Sequence, residues 1–174
     1  DVSTASATLP SGDMSTVMNN VKFLSQLFKK EFIYRAGPKV EENFKSTVEN
    51  MREKSILGQP SSTVNPDQLA VTNTGSKMFL FLCMLIWPFI DIYFITVVSL
   101  LDLLPDKFIE LEKLVPVVQR RAEALFYSGY FDFYEAVNAD SIRTSIMWCV
   151  DQKLLSIKPI TSGQIVQLTE KYRG

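Results

Sequence analysis

The chain has 174 residues, 47% hydrophobic and 21% charged, enough for one ordinary domain or for a small domain with a membrane segment. Its 18 basic and 19 acidic residues leave a net charge of −1, which gives no general electrostatic reason to bind nucleic acid. It contains no histidine, which excludes acid–base or metal chemistry built on imidazole and leaves carboxylate, lysine or cysteine routes.

The chain starts at Asp1, not Met, as a processed mature protein or a fragment would. The opening stretch Asp1–Asp13 is rich in Ser, Thr and Ala and holds no Lys or Arg. It is neither an Arg-rich transit peptide nor a signal peptide, and it fits what remains once one is removed. Asp13–Arg35 is predicted to be a helix, capped by Asp13 or Ser15. Val17, Val21, Leu24, Phe28 and Phe32 recur at helical steps, and Gly37-Pro38 ends the pattern. A second helix is predicted from Pro38 to Ile56, with Val40, Phe44, Val48 and Met51 on one stripe and most charges off it. The two form an αα-hairpin over residues 1–57 whose apolar stripes need a partner surface. Residues 58–76, with Gly58, Pro60, Pro66 and Gly75 among many polar residues, read as a linker and the main organisational boundary.

Residues 77–104 form a hydrophobic segment, in which Met78–Leu101 carries a single charge, Asp91. A span needs about 20 predominantly apolar residues, so the length suffices. Pro88 interrupts it. Three arrangements stay open: one kinked transmembrane helix, two short helices entering and leaving one leaflet, or the core helix of a larger assembly. An acid in hydrocarbon must be neutral, paired or turned to protein. Asp91 is therefore either a buried acid bonded to Tyr93 or to another chain's backbone, or a proton or substrate site. No second intramembrane ionisable residue accompanies it, which favours the first. Lys77 flanks one end, while Lys107, Lys113, Arg120 and Arg121 flank the other, so the C-terminal side is expected to face the more negative compartment.

Residues 105–174 are predicted to be a small helical module. Asp106 can cap a helix from Lys107 to Tyr127, lined by Phe108, Leu111, Leu114, Val118 and Ala122, with a kink or split at Pro116. Arg120 and Arg121 lie on its polar side, a solvated face or a candidate lipid-headgroup contact. An aromatic cluster, Tyr130–Tyr134, follows the turn at Ser128-Gly129. A helix capped by Asn138–Asp140 runs to Lys153, with Ile142, Ile146, Cys149 and Val150 inward. Leu154–Ile157 and Gln164–Leu168 around Pro159–Gly163 read as a β-hairpin. Helix, turn, helix, hairpin is a winged-helix outline. A DNA-binding version would want a basic recognition helix, whereas here Asp140, Arg143, Asp151 and Lys153 balance. Cys83 and Cys149 fit no C-x-x-C or zinc spacing and read as buried small hydrophobes. No glycine-rich phosphate loop, nucleophile elbow or metal-ligand cluster is present, so no cofactor and no catalytic residue is expected.

The run Ile86-Trp87-Pro88-Phe89-Ile90-Asp91-Ile92-Tyr93 resembles the segment after the catalytic domain in glycerol-3-phosphate and dihydroxyacetone-phosphate acyltransferases. Downstream, Arg121-Ala122-Glu123-Ala124-Leu125-Phe126-Tyr127-Ser128-Gly129, Tyr134-Glu135-Ala136-Val137 and Ser141-Ile142-Arg143 resemble that family's C-terminal module. The resemblance runs over Met78–Leu168, and Asp1–Ser76 has none. In that family an H-x-x-x-x-D motif supplies the general base, and no residue here can inherit the role. The resemblance thus implies a non-catalytic piece: either the catalytic half is on other polypeptide, or the module serves as a scaffold. The expected role is an accessory or structural subunit of a membrane protein complex at the mitochondrial inner membrane. Its expected partners are other protein subunits and phospholipid, with no nucleic acid. A lipid held along Met78–Val118 is compatible with either.

Overall fold

The computed structural model describes residues 9–32, 39–60, 67–103, 108–161 and 163–172. The predicted signals at Gly37-Pro38 and Asp106 lie outside them. The chain divides into two compact units, 1–84 and 85–174. The division falls inside one long helix, which supplies its first part to one unit and its second part to the other.

In the N-terminal unit, β1 (Ser11–Asp13) leads into α1 (Met14–Leu27). The Asp13 carboxylate accepts the backbone N–H groups of Ser15 and Thr16, each at 3.1 Å, which caps two of the helix's orphan donors. The helix α2 (Val40–Glu53) carries Glu41 and Glu42 in its first turn, where the helix dipole favours them. Lys22 on α1 and Glu41 on α2 pair at 2.7 Å. After α2, Ser55 takes a left-handed φ of 55°, and the Ser55 and Ile56 N–H groups donate back to the carbonyls of Arg52 and Met51. That closes a Schellman end without glycine. β2 (Gln68–Ala70) then pairs antiparallel with β1, Ser11 opposite Ala70 and Asp13 opposite Gln68. Leu57 bridges Val71 beside it. Part of the segment expected to be a linker is thus built into the unit: Leu69 and Val71 alternate inward and are buried, at the strand period of two.

The helix α3 (Ser76–Leu103) is continuous through Pro88, so the predicted helix forms without splitting in two. It is long and apolar enough to cross a membrane. Its two parts differ in burial. Leu80, Phe81, Met84, Leu85 and Trp87 are exposed, whereas Ile92, Tyr93, Ile95, Thr96, Ser99 and Leu100 are buried.

That second part is the first helix of the C-terminal unit. β3 (Ile109–Glu110) follows, then α4 (Leu111–Tyr127), a 3-10 turn at Tyr134–Ala136, α5 (Ala139–Asp151), β4 (Leu155–Ile160) and β5 (Gly163–Leu168). The strand order is β3-β5-β4, all antiparallel. Helix, strand, helix, helix and hairpin, with the first strand beside the last, is the winged-helix order. The fold is mainly helical with a C-terminal β-hairpin, as the sequence predicts. The start of α4 differs: Ile109 and Glu110 pair with Val166 and Ile165 instead of continuing the helix, and Phe108 is exposed. The strand bonds and the half-burial of both residues outweigh the local helical pattern. Pro159 is tolerated because β4 is an edge strand. The Asn138 side chain caps α5, accepting from the N–H groups of Asp140 and Ser141. Leu114, Val118, Ile142, Ile146 and Val166 are buried to 1% exposure or less, so this unit has a closed core.

Candidate functional site

The apolar stripes of α1 and α2 converge on a cluster of Phe44, Val48, Leu57, Leu69 and Val71. They do not fill the space between them. No residue of α1 is buried, and α2 buries only Phe44 and Val48. What remains is a cavity of about 430 Å³, within the size range of small-molecule sites. Val17 and Val21 of α1 line it on one side, and Phe44 and Val48 of α2 on another. The ribbon and the first turn of α3 line it through Leu69 and Phe79, and it is open to solvent on one side. The polar side chains at its wall are Ser11, Ser25, Asn43 and Thr47. Among the described residues none of the lining side chains is charged. Chemically this is a place for aliphatic carbon with a few neutral hydrogen-bonding groups at its edge.

Two carboxylates on the elements that line this site, Glu41 and Asp13, are held by hydrogen bonds. The side-chain hydrogen bond from Lys22, with that amine's charge, holds the Glu41 carboxyl below its ordinary value. The hydrogen bond from the Ser15 hydroxyl, and then the Thr16 N–H, does the same for Asp13. Neither group is set up to give or take a proton near neutral pH.

The residues singled out in the sequence lie in the C-terminal unit and are not gathered into one site. Arg121 Nη2 pairs with Asp102 Oδ2 at 2.6 Å, which joins α4 to the end of α3. Arg120 is exposed. Asp91 is half-buried, and its Oδ2 meets no hydrogen-bond donor among the described residues. That oxygen therefore does not make the expected bond to Tyr93. The Tyr93 ring instead packs edge-on against Trp148, centroids 6.0 Å apart. Cys149 is buried, and burial pushes its thiol up to about 12, so it stays protonated and unreactive at neutral pH. Cys83 is half-buried, and both thiols are free. Among the described residues no three His, Cys, Asp or Glu side chains cluster to hold a metal.

The sequence reading found the cavity's helical walls, since Val17, Val21, Val40, Phe44, Val48 and Met51 are the stripes it named as needing a partner. It missed Leu57, Leu69, Val71 and Phe79. The alternation of Leu69 and Val71 was the available signal, short and hidden among turn residues.

Fold and site together define a helical module with an apolar cavity in one unit and winged-helix order in the other, and with no catalytic constellation among the described residues. The family described as the glycerol-3-phosphate acyltransferase C-terminal region matches residues 4–158, most of the chain, and the protein belongs to it. The match reaches back through the N-terminal unit, for which the sequence reading had no counterpart. Comparisons with curated proteins and with solved structures return no match.

Proposed function

We propose that this chain is a non-catalytic, structural region of a glycerol-3-phosphate-type acyltransferase assembly at a membrane, whose H-x-x-x-x-D catalytic half lies outside these 174 residues. The observation that carries the reading is membership of the C-terminal-region family in a sequence without histidine. The stretch Met78–Trp87, exposed at every position but Phe79 and Cys83, supports the membrane part. At about 1.5 Å per residue it is about 15 Å long, half of a hydrocarbon core about 30 Å thick. Further along α3, Ile92, Tyr93, Ile95, Thr96, Ser99 and Leu100 are buried in the C-terminal unit while Phe94 and Leu101 are exposed. The helix is therefore read as membrane-associating with one side held by protein, and exposed Arg120 is the candidate contact for lipid phosphate. Purification from a gently solubilised membrane fraction tests it. An H-x-x-x-x-D-bearing chain with acyl-CoA-dependent activity should co-purify, and this chain alone should be inactive. Acyl transfer by the isolated chain would sink the proposal.

A second reading is an accessory subunit of a different complex at the mitochondrial inner membrane. The exposed apolar side chains of α3, including Leu80, Phe81 and Leu85, support it as a subunit contact. Mitochondrial subfractionation and native electrophoresis in mild detergent decide it. A free monomer, or absence from the inner membrane, rules it out.

A further inference from the structure

We propose that the cavity of the N-terminal unit binds a single unbranched acyl chain carried on an uncharged head, that is, a monoacylglycerol-like lipid. The inference does not depend on the acyltransferase reading.

The first argument is packing. Native interiors are filled, and a void loses the contacts its lining would otherwise make. Here two amphipathic helices and a β-ribbon line about 430 Å³ that their own side chains do not fill and that opens to solvent on one side, so an apolar wall is left facing water. Val17 and Val21 point their stripe at it without being buried. An apolar cavity of this kind does not hold ordered water, which needs polar partners. Its wall is made of aliphatic and phenyl groups, with flexible Met51 contributing and Met14 and Met18 packed against the same cluster. Such a wall adapts to a chain of methylenes better than to a rigid ring system.

The second argument is charge. A carboxylate or phosphate brought to this wall would lose hydration and meet no cation among the lining residues. Lys22, beside the lining residue Val21, is held by Glu41 at 2.7 Å, and Lys39 and Lys45, beside Val40 and Phe44, are exposed and are not part of the wall. What the wall does offer is the Ser25 hydroxyl and the Asn43 amide, suited to a hydroxylic head. The Thr47 hydroxyl is already used, donating to the Asn43 carbonyl at 2.7 Å.

The test uses the full chain, with no partner protein, so its failure is separable from failure of the proposed function. Displacement of methyl cis-parinarate, an uncharged fluorescent acyl probe, is followed with 1-monooleoylglycerol and with oleate. Saturable single-site displacement is expected, with monooleoylglycerol favoured over oleate. Val21→Trp should fill the cavity and weaken binding by about tenfold or more, the scale on which a few misplaced methylenes act in an apolar pocket. Its thermal midpoint should not fall. If Val21→Trp does not fold, Val17→Phe carries the same test. The double variant Leu80→Ser, Leu85→Ser, on the exposed stretch of α3, should bind as the unaltered chain does. Undiminished binding by the cavity-filling variant overturns the proposal, and so does loss of binding in the α3 variant. Equal displacement by oleate overturns the uncharged head.

Discussion

The two units differ in apolar content and in how they use it: 33 of residues 1–84 are hydrophobic, against 48 of residues 85–174. In the C-terminal unit, three helices and a three-stranded sheet close around Leu114, Val118, Ile146 and Val166, each at 0% exposure. In the N-terminal unit the most buried residue of the central cluster is Val48, at 5%. A two-stranded ribbon and two helices cannot enclose that cluster, and a cavity results. The contrast teaches that a helical stripe guarantees only an apolar surface. Whether the surface becomes core or binding wall depends on how many elements meet over it.

The largest expected effect tests the closed core. Ile146→Ala should lower the stability of the C-terminal unit by about 2–5 kcal/mol, as deletions at fully packed sites do. Both tryptophans, Trp87 and Trp148, belong to this unit, so denaturant titration followed by tryptophan fluorescence reads it selectively. Leu69→Ala beside the cavity should cost less, about 2 kcal/mol, because the site already lacks part of its packing. Amide exchange within the N-terminal unit measures that. If Leu69→Ala costs as much as Ile146→Ala, the contrast between the units fails.

Gly75→Ala tests the tight side of the looser unit. A Cβ there would collide with the Ile56 backbone and stand 2.8 Å from the Ser55 carbonyl oxygen, atoms that cannot yield as a side chain can. A loss of about 1–3 kcal/mol is expected, readable in thermal melts. An unchanged midpoint would mean that the junction of α2 and α3 is loose as well.

Lys153 takes a left-handed φ of 58° after α5, and the Lys153 and Leu154 N–H groups return to the carbonyls of Val150 and Cys149. Lys153→Gly should raise stability by about 1 kcal/mol, since glycine adopts this conformation without the Cβ penalty. Differential scanning calorimetry would show it as a higher midpoint. A fall would mean that the lysine chain itself contributes packing.

The smallest effect is on acid stability. Asp13 and Glu41 both have carboxyl groups held below their ordinary values of 3.8 and 4.5. Groups depressed in the folded state stabilise it fully above the unfolded value, and that contribution is lost as pH falls through the folded value. The N-terminal unit should therefore weaken below about pH 4, and Asp13→Asn with Lys22→Met should flatten that dependence. Amide exchange from pH 3 to 6 is the check, and an unaltered profile in the double variant refutes the assignment. Both groups are exposed, so salt should reduce the effect.

Much of this organisation was legible in the linear chain because its signals are local. The periods of α1, α2 and α5, the Asp13 and Asn138 caps, and the hairpin around Gly163 depend on residues within a few positions of one another. The missing histidine and the apolar run Met78–Leu101 need no folding to be read. Pairing across distance was not legible. Ser11–Asp13 meets Gln68–Ala70, Ile109 meets Val166, and Arg121 meets Asp102, each a contact that only the closed chain brings within reach.

The same holds for the two features that carry function. The sequence by itself determined that α3 would be long, apolar and interrupted by Pro88, and that α1 and α2 would present unpartnered stripes. Folding is what made core of Ile92, Tyr93, Ile95, Thr96, Ser99 and Leu100 while leaving Leu80, Phe81, Met84, Leu85 and Trp87 exposed, and what set the stripes around a cavity instead of against each other. The physical reason is that hydrophobicity is non-directional: it drives apolar groups out of water without saying which surface receives them.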